Sequence, residues 1–362
     1  MQPFTLLTCA ILFGSLPNLC NSAQRAIRNH IIEENTPSFP VGTVLVARPQ
    51  KGSDLLWATT HTLHNSNTGA EFAFPKSGFL CKRIVWSPDQ ERLLVLGDPA
   101  DDETSLITEA YVLETRSLRL VHHLKTSVVW WQGSRYAYLQ EDSEPQRIVS
   151  SAGKSCRVPS NLEICAADPH DGYLLGATLL KEHNPEYDPA YRLHLWKLAS
   201  RGRLQCLRVV GKAYFDPGSS GVPRAFGRVG KRVVFGEPHG GAFETLMIAE
   251  GKRMTALSLG IGKPLLQNER GPYQAENCLF GLVRPVRMSD QPRQEAYLYR
   301  ISDQAMSLTK IGKGILFVYY DPMRRAIGLG SANASGVIVR YLPVNITKRK
   351  NSSKNRIRYD RR

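Results

Sequence analysis

Three short stretches hold an unusual share of the carboxylates in this basic chain. Gly97–Glu109 carries Asp98, Asp101, Asp102, Glu103 and Glu109. Gln140–Gln146 carries Glu141, Asp142 and Glu144, and Lys181–Pro189 carries Glu182, Glu186 and Asp188. These are eleven acids against one base, Lys181, in a protein of formal net charge +15. Brought to one place, such groups make an electronegative surface that suits a cation, a basic protein partner or a sugar. Calcium is the one cofactor that the pattern raises, because it takes several carboxylate and carbonyl oxygens. Asp98-Pro-Ala-Asp-Asp102 lacks the spaced Asp-x-Asp-x-Asp-Gly of a recognisable calcium loop, however. Paired acids could also act as acid and base on a glycosidic bond, but nothing in the sequence selects a pair or its separation.

The histidines add less. His183 and His239 lie in predicted loops, within Glu182-His-Asn-Pro-Glu186 and Glu237-Pro-His-Gly-Gly241. His61 and His64, and the adjacent His122 and His123, fall in or beside predicted strands, whose alternation aims each pair to opposite faces. No Gly-x-Ser-x-Gly elbow, phosphate loop or dinucleotide fingerprint occurs, so a serine hydrolase domain or nucleotide enzyme is unsupported. Trp57, Trp86, Trp130, Trp131 and Trp196 could stack on sugars, but all lie in predicted strands, where core packing is their expected fate.

The elements that must position these groups are almost wholly β. Runs of five to eight residues rich in Val, Ile, Leu, Tyr and Phe alternate with Gly, Pro, Asn and Asp from Val41 onward. Ile84-Val-Trp-Ser-Pro-Asp-Gln-Glu-Arg-Leu-Leu-Val-Leu96 reads as a tight hairpin, with Pro presetting the turn and Asp bonding its own backbone. Related hairpins follow at 128–139, 164–176, 225–236 and 317–328. Second hairpins are expected at 110–124, 146–158, 191–210, 243–259 and 336–348. A degenerate unit pairs 277–286 with 295–311, and an opening unit holds 43–48, 55–60 and 70–74. Four antiparallel strands every forty to fifty-five residues fit propeller blades, since one blade cannot cover both its faces alone. Seven four-stranded blades are preferred and six are the alternative. The first blade is read as incomplete and finished by the C-terminal strand.

The Trp-Ser-Pro-Asp turn within Ile84–Leu96 resembles the repeat of TolB-type and WD-repeat-like bacterial β-propellers, where Ser-Pro-Asp-Gly joins the first two strands. Here Gln90 replaces that Gly. Asp168-Pro-His-Asp-Gly172 and Asp321-Pro322 are partial echoes. The resemblance implies the architecture of residues 41–345 and leaves function open.

Antiparallel blades put the loops between second and third strands on one rim, and the tight turns within hairpins on the other. The acidic stretches belong to the first set. Long loops on a rigid scaffold are where binding residues concentrate. Asp98, Asp101, Asp102, Glu141, Asp142, Glu182, His183, Asp188 and His239 are therefore the candidate partner-binding residues.

The ends of the chain bear on location. Residues 1–23 read as a secretory signal, with an apolar run at Phe4–Leu16 and small residues at Ser22 and Ala23, though no Lys or Arg precedes the run. No later run approaches the length of a membrane span. Residues 24–40 read as a lead-in of one or two helical turns, 41–347 as the propeller and 348–362 as a basic disordered tail of net +7. That tail could touch an anionic surface; nucleic acid is the disfavoured partner. Five cysteines remain after cleavage, Cys81, Cys156, Cys165, Cys206 and Cys278. They are expected mainly as buried strand residues, a disulfide of Cys156 with Cys165 or Cys206 being the alternative. The expectation is a periplasmic or extracellular propeller that binds or scaffolds a protein or glycan partner without catalysis. A carbohydrate-active hydrolase or lyase is the alternative.

Overall fold

The computed structural model describes residues 37–74, 78–99, 109–126, 128–140, 143, 145–180, 189–199, 203–214, 223, 225–239, 243–259, 265–286 and 295–344. The segment read as a secretory signal, most of the lead-in and the basic tail lie outside these residues. All regular structure described is β, and no described helix is long and apolar enough to cross a membrane.

The strands come in antiparallel sets of four that follow one another along the chain. The first holds β2 (Leu45–Ala47), β3 (Leu56–Ala58), β4 (Thr62–Asn65) and β5 (Glu71–Ala73). The next holds β6 (Phe79–Trp86), β7 (Arg92–Pro99), β8 (Glu109–Glu114) and β9 (Leu120–Leu124). Then come β10 (Val129–Gln132), β11 (Arg135–Gln140), β12 (Arg147–Ser150) and β13 (Ser155–Arg157). They are followed by β14 (Glu163–Ala167), β15 (Tyr173–Leu179), β16 (Ala190–Leu198) and β17 (Leu204–Tyr214). Two further sets, β18 (Phe226–Val229), β19 (Arg232–His239), β20 (Phe243–Glu250), β21 (Arg253–Ala256) and β22 (Leu266–Ala275), β23 (Cys278–Pro285), β24 (Ala296–Ser302), β25 (Met306–Gly312), are joined into one sheet by the single pair Thr245–Gln267. The last has β26 (Ile315–Asp321), β27 (Ala326–Asn333) and β28 (Gly336–Pro343), and its fourth strand is β1 (Ser38–Phe39) from the other end of the chain.

That pairing corrects the expected closure. The opening set has four strands of its own, because Thr62–Asn65 also pairs, and the incomplete set is the last one. Ser38 and Phe39 pair with Ile338 and Val337, and Phe39 is buried, so this part of the lead-in is strand rather than helix. Likewise the expected second hairpin at 336–348 contributes one strand, β28. The unit read as degenerate is complete once β22 is counted.

The packing is radial. First strands lie beside first strands: β2 against β26 and β6, and β22 against β26, β18 and β6. Buried clusters fill the gaps between consecutive sheets. Val85, Leu94 and Val112 meet Val129 and Trp131, while Val234, Leu246 and Ile248 meet Leu279, Tyr299 and Ile301. Another cluster runs from Phe317 and Tyr341 through Leu45, Leu56 and Leu63 to Phe79 and Tyr111, linking the last set, the first and the second. The continuous apolar runs Leu93–Leu96 and Val233–Phe235 are buried throughout, as strands covered on both faces must be. This arrangement matches a β-propeller. All five described cysteines are free thiols. Cys81, Cys165 and Cys278 are buried, Cys156 is half-buried and Cys206 exposed, so the alternative disulfide is absent.

Candidate functional site: an axial cup on the tight-turn face

Three turns on the same face share one construction. Ser87, Asp168 and Asp321 are each buried, and each closes a first hairpin with its own side chain. Ser87 Oγ accepts from Arg92 N at 3.0 Å and bonds Asp89 Oδ1 at 2.5 Å. Asp168 Oδ1 accepts from His170 N at 3.0 Å, and Asp321 Oδ1 accepts from Met323 N at 3.1 Å and Arg324 N at 3.3 Å. A short polar side chain satisfies turn amides that would otherwise be buried without a partner. The partial echoes in the sequence are thus equivalent turns.

Gln90 sits with φ at 63°, the left-handed region that explains the Gly usual at this position. Its side chain supplies what Gly cannot. With the amide oriented to suit both partners, its nitrogen donates to Lys51 O and its oxygen accepts from Lys51 N at 3.2 Å. The turn is thereby tied to the long β2–β3 connection of the neighbouring sheet. Gly172, with φ at 66°, is less replaceable: a Cβ there would lie 2.8 Å from Cδ1 of Trp130.

Between these turns the axis opens into a cup of about 380 Å³. Its walls come from strands far apart in sequence: Ile84 and Trp86 of β6, Trp131 of β10, Tyr273 and Gln274 of β22, and Val318 and Tyr320 of β26. Deeper along the axis the passage is bridged. β22 carries two register shifts, around Arg270, and reaches β6: Tyr273 OH donates to Lys82 O at 2.8 Å and Arg270 Nη1 donates to Cys81 O at 3.3 Å. Gly281 on β23 makes the bulge possible, because a side chain there would collide with Arg270 O and the Tyr299 ring.

The charged lining is Arg48, Lys51 and Arg83 against Asp171. Arg48 Nε stands 3.7 Å from the buried Asp321 carboxylate. The Arg83 guanidinium lies 6.0 Å from the Tyr273 ring centroid, and no described carboxylate hydrogen-bonds it. Burial lowers the Arg83 pKa, opposed by the negative charge of Asp168; a guanidinium stays protonated regardless. His170, also on the lining, is pushed down to about 4, first by desolvation and then by Arg83, with Asp171 opposing, so it is neutral at pH 7. Trp86 holds its indole N–H buried without an acceptor, whereas Trp131 Nε1 donates to Val85 O at 3.2 Å. Trp130 and Trp131 are buried as expected, but Trp131 also reaches the cup, as does the less buried Trp86.

The strand ends from which the acidic stretches leave, at Pro99, Gln140 and Leu179, belong to the opposite face. Asp101, Asp102, Glu141, Asp142, Glu182, His183 and Asp188 lie outside the described residues. His239 ends β19, its backbone in register with Phe243. Asp98 is ion-paired with Lys82. Glu109 is turned inward, buried, accepting from Tyr111 OH at 2.7 Å with His123 Nε2 at 3.2 Å. His122 bonds Tyr136 OH at 2.7 Å instead, so the adjacent histidines do face apart. His64 stacks on Trp57 and pairs with Glu71 at 2.8 Å. No group of three or more metal-ligating side chains occurs among the described residues.

Arg83 carried a sequence signal that loop reasoning passed over: two consecutive bases, Lys82-Arg83, inside an otherwise apolar first strand. A bulge between Cys81 and Arg83 separates them, Lys82 pairing with Asp98 while Arg83 lines the cup.

No protein-family model matches the chain, and no curated protein matches it. Solved structures of propeller proteins do resemble it. The β-propeller domain of the Trilobed protease from Pyrococcus furiosus, described as having an open velcro topology, shares 11% identity over 84% of this chain and 94% of that one, with a TM-score of 0.46. Oligogalacturonate lyase from Vibrio parahaemolyticus shares 11% over 78% and 96%, with a TM-score of 0.37. TolB from Acinetobacter baumannii shares 8% over 81% and 68%, with a TM-score of 0.38. Likeness of this degree assigns no activity.

Proposed function

We propose that this chain is an exported, non-catalytic binding propeller of seven blades that takes its ligand into the axial cup on the tight-turn face. Seven sets of four strands, the last completed by β1, support the blade count. Export to the periplasm or beyond rests on the apolar leader at 1–23 and its small residues. The observation that carries the reading is the cup itself: concave, aromatic-walled, bridged behind by β22, and holding an arginine without a hydrogen-bonded carboxylate. Its volume falls within the range of small-molecule sites, about 300–1,000 Å³.

A thermal-shift screen of small metabolites against the wild type and Ala47→Trp, which fills the cup from β2, tests this. Stabilising compounds whose effect vanishes in Ala47→Trp support it. Compounds equally effective on both proteins, or turnover of a glycan panel, would favour another surface or the hydrolase or lyase alternative.

A second reading keeps the opposite rim as a surface for a protein or glycan partner. Its support is the convergence of the ends of β7, β11 and β15, from which the acidic loops leave, on one edge of consecutive sheets. On this reading Asp98, Asp101, Asp102, Glu141, Asp142, Glu182, His183, Asp188 and His239 form the contact. Replacing Asp101, Asp102, Glu182 and Asp188 by their amides should then abolish partner capture and leave cup binding unchanged.

A further inference from the structure

The cup is particular about what it can hold, and, resting on the reading of it as the ligand site, we infer that its ligand is a monocarboxylate on a flat aromatic body, with Arg83 as the residue that binds the carboxylate. Arg83 lines the cup with its guanidinium near Tyr273 and no hydrogen-bonded acid among the described residues. A planar fork of N–H donors in that state matches a carboxylate, which accepts two parallel bonds. The carboxylates nearby do not take this role. Asp168 Oδ1 is engaged by the backbone of its own turn, at 3.0 Å from His170 N, and Asp321 lies beside Arg48.

The same surroundings limit the charge of the ligand. Asp171 lines the cup and Asp168 acts electrostatically on Arg83, while His170 is neutral at pH 7 and adds no cation. A phosphate dianion would meet the repulsion of both acids with twice the charge of a monocarboxylate. A monocarboxylate meets less of that repulsion and presents the two oxygens that the guanidinium fork matches. Lys51 and Arg48 also line the cup, and steer anions toward it.

The body of the ligand is set by the walls. Ile84, Trp86, Trp131, Val318 and Tyr320 offer apolar and aromatic surface, and 380 Å³ admits one or two fused rings. The Trp86 indole N–H, buried without an acceptor, is a second donor for a ligand oxygen after a small side-chain movement.

The test titrates the full chain with 2-naphthoate and with its neutral isostere 2-naphthamide, read by fluorescence of Trp86 and Trp131. Wild type should show saturable quenching by the acid and bind the amide at least tenfold more weakly. Arg83→Lys, which keeps the charge but loses the fork, should weaken acid binding about tenfold; Arg83→Met should bring the acid down to the amide. If Arg83→Met fails to fold, the acid-against-amide comparison on wild type decides alone. Equal binding of acid and amide, or saturable binding of neither, overturns the inference. Binding of the amide that Ala47→Trp abolishes would sink the carboxylate and leave the cup standing. Acid binding that Ala47→Trp does not touch would sink the cup as well.

Discussion

The two ends of the axis are made from opposite kinds of sequence. On the tight-turn face, connections are short and locally encoded: Ser87, Asp168 and Asp321 cap their own hairpins, and Gln90 or Gly172 takes the left-handed backbone the turn requires. That rigidity shapes a cup in which Arg83 and Trp86 keep donors without protein acceptors. On the long-loop face, the described charges are already matched, Asp98 by Lys82 and Glu109 by Tyr111 and His123. Density of charge and readiness to bind are therefore different properties. A run of acids in the sequence is not by itself a site, whereas an arginine that lines a cup with no hydrogen-bonded carboxylate has donors to offer.

The largest expected break in that contrast is Gly172→Val. It forces a β-branched residue into a left-handed turn and drives its Cβ toward Trp130, which should cost about 3 kcal/mol in urea unfolding.

Acid should act next on the same face. The pKa of His170 is lowered from 6.5 to about 4 on folding, so the unfolded chain binds the extra proton in that window. Stability contributed by the neutral ring is complete above pH 6.5 and lost as pH falls toward 4, by on the order of 2 kcal/mol. The charged groups acting on the ring are Arg83 and Asp171. His170→Asn should flatten this part of the pH profile; an unchanged profile would mean the ring is solvated.

Gln90 sharpens the comparison at a smaller scale. Gln90→Ala loses the bonds to Lys51 and keeps a side chain at φ 63°, and should be less stable than Gln90→Gly by about 1 kcal/mol. The reverse order would show that the left-handed strain of a side chain at this turn is smaller than the entropy a glycine adds to the unfolded chain.

The smallest effect belongs to the loop face. Asp98→Asn removes a partly exposed ion pair and should cost about 0.5 kcal/mol or less, with no change in cup binding.

These elements were legible in the sequence to different degrees, for physical reasons. Hairpins such as Ile84–Leu96 could be read because Pro, Asp and flanking apolar runs encode a turn within a dozen residues. β1, β4 and β22 could not. Ser38-Phe39 is strand only because β28 offers an open edge, Thr62–Asn65 is short and polar, and Leu266–Ala275 is bulged, with Glu269, Arg270 and Pro272 breaking its alternation. The cup is least legible of all, since its residues come from six sheets and share no spacing. The acidic stretches drew attention because they are contiguous, which is a property of loops more than of sites.

The most direct measurement is the position of a heavy atom on the bound acid. Crystals of the protein soaked in an iodinated naphthoate should give anomalous density in the tight-turn cup, with the carboxylate on Arg83 and the ring between Trp86 and Tyr320. Density at the acidic rim, or in the cup with the carboxylate turned away from Arg83, would contradict the account.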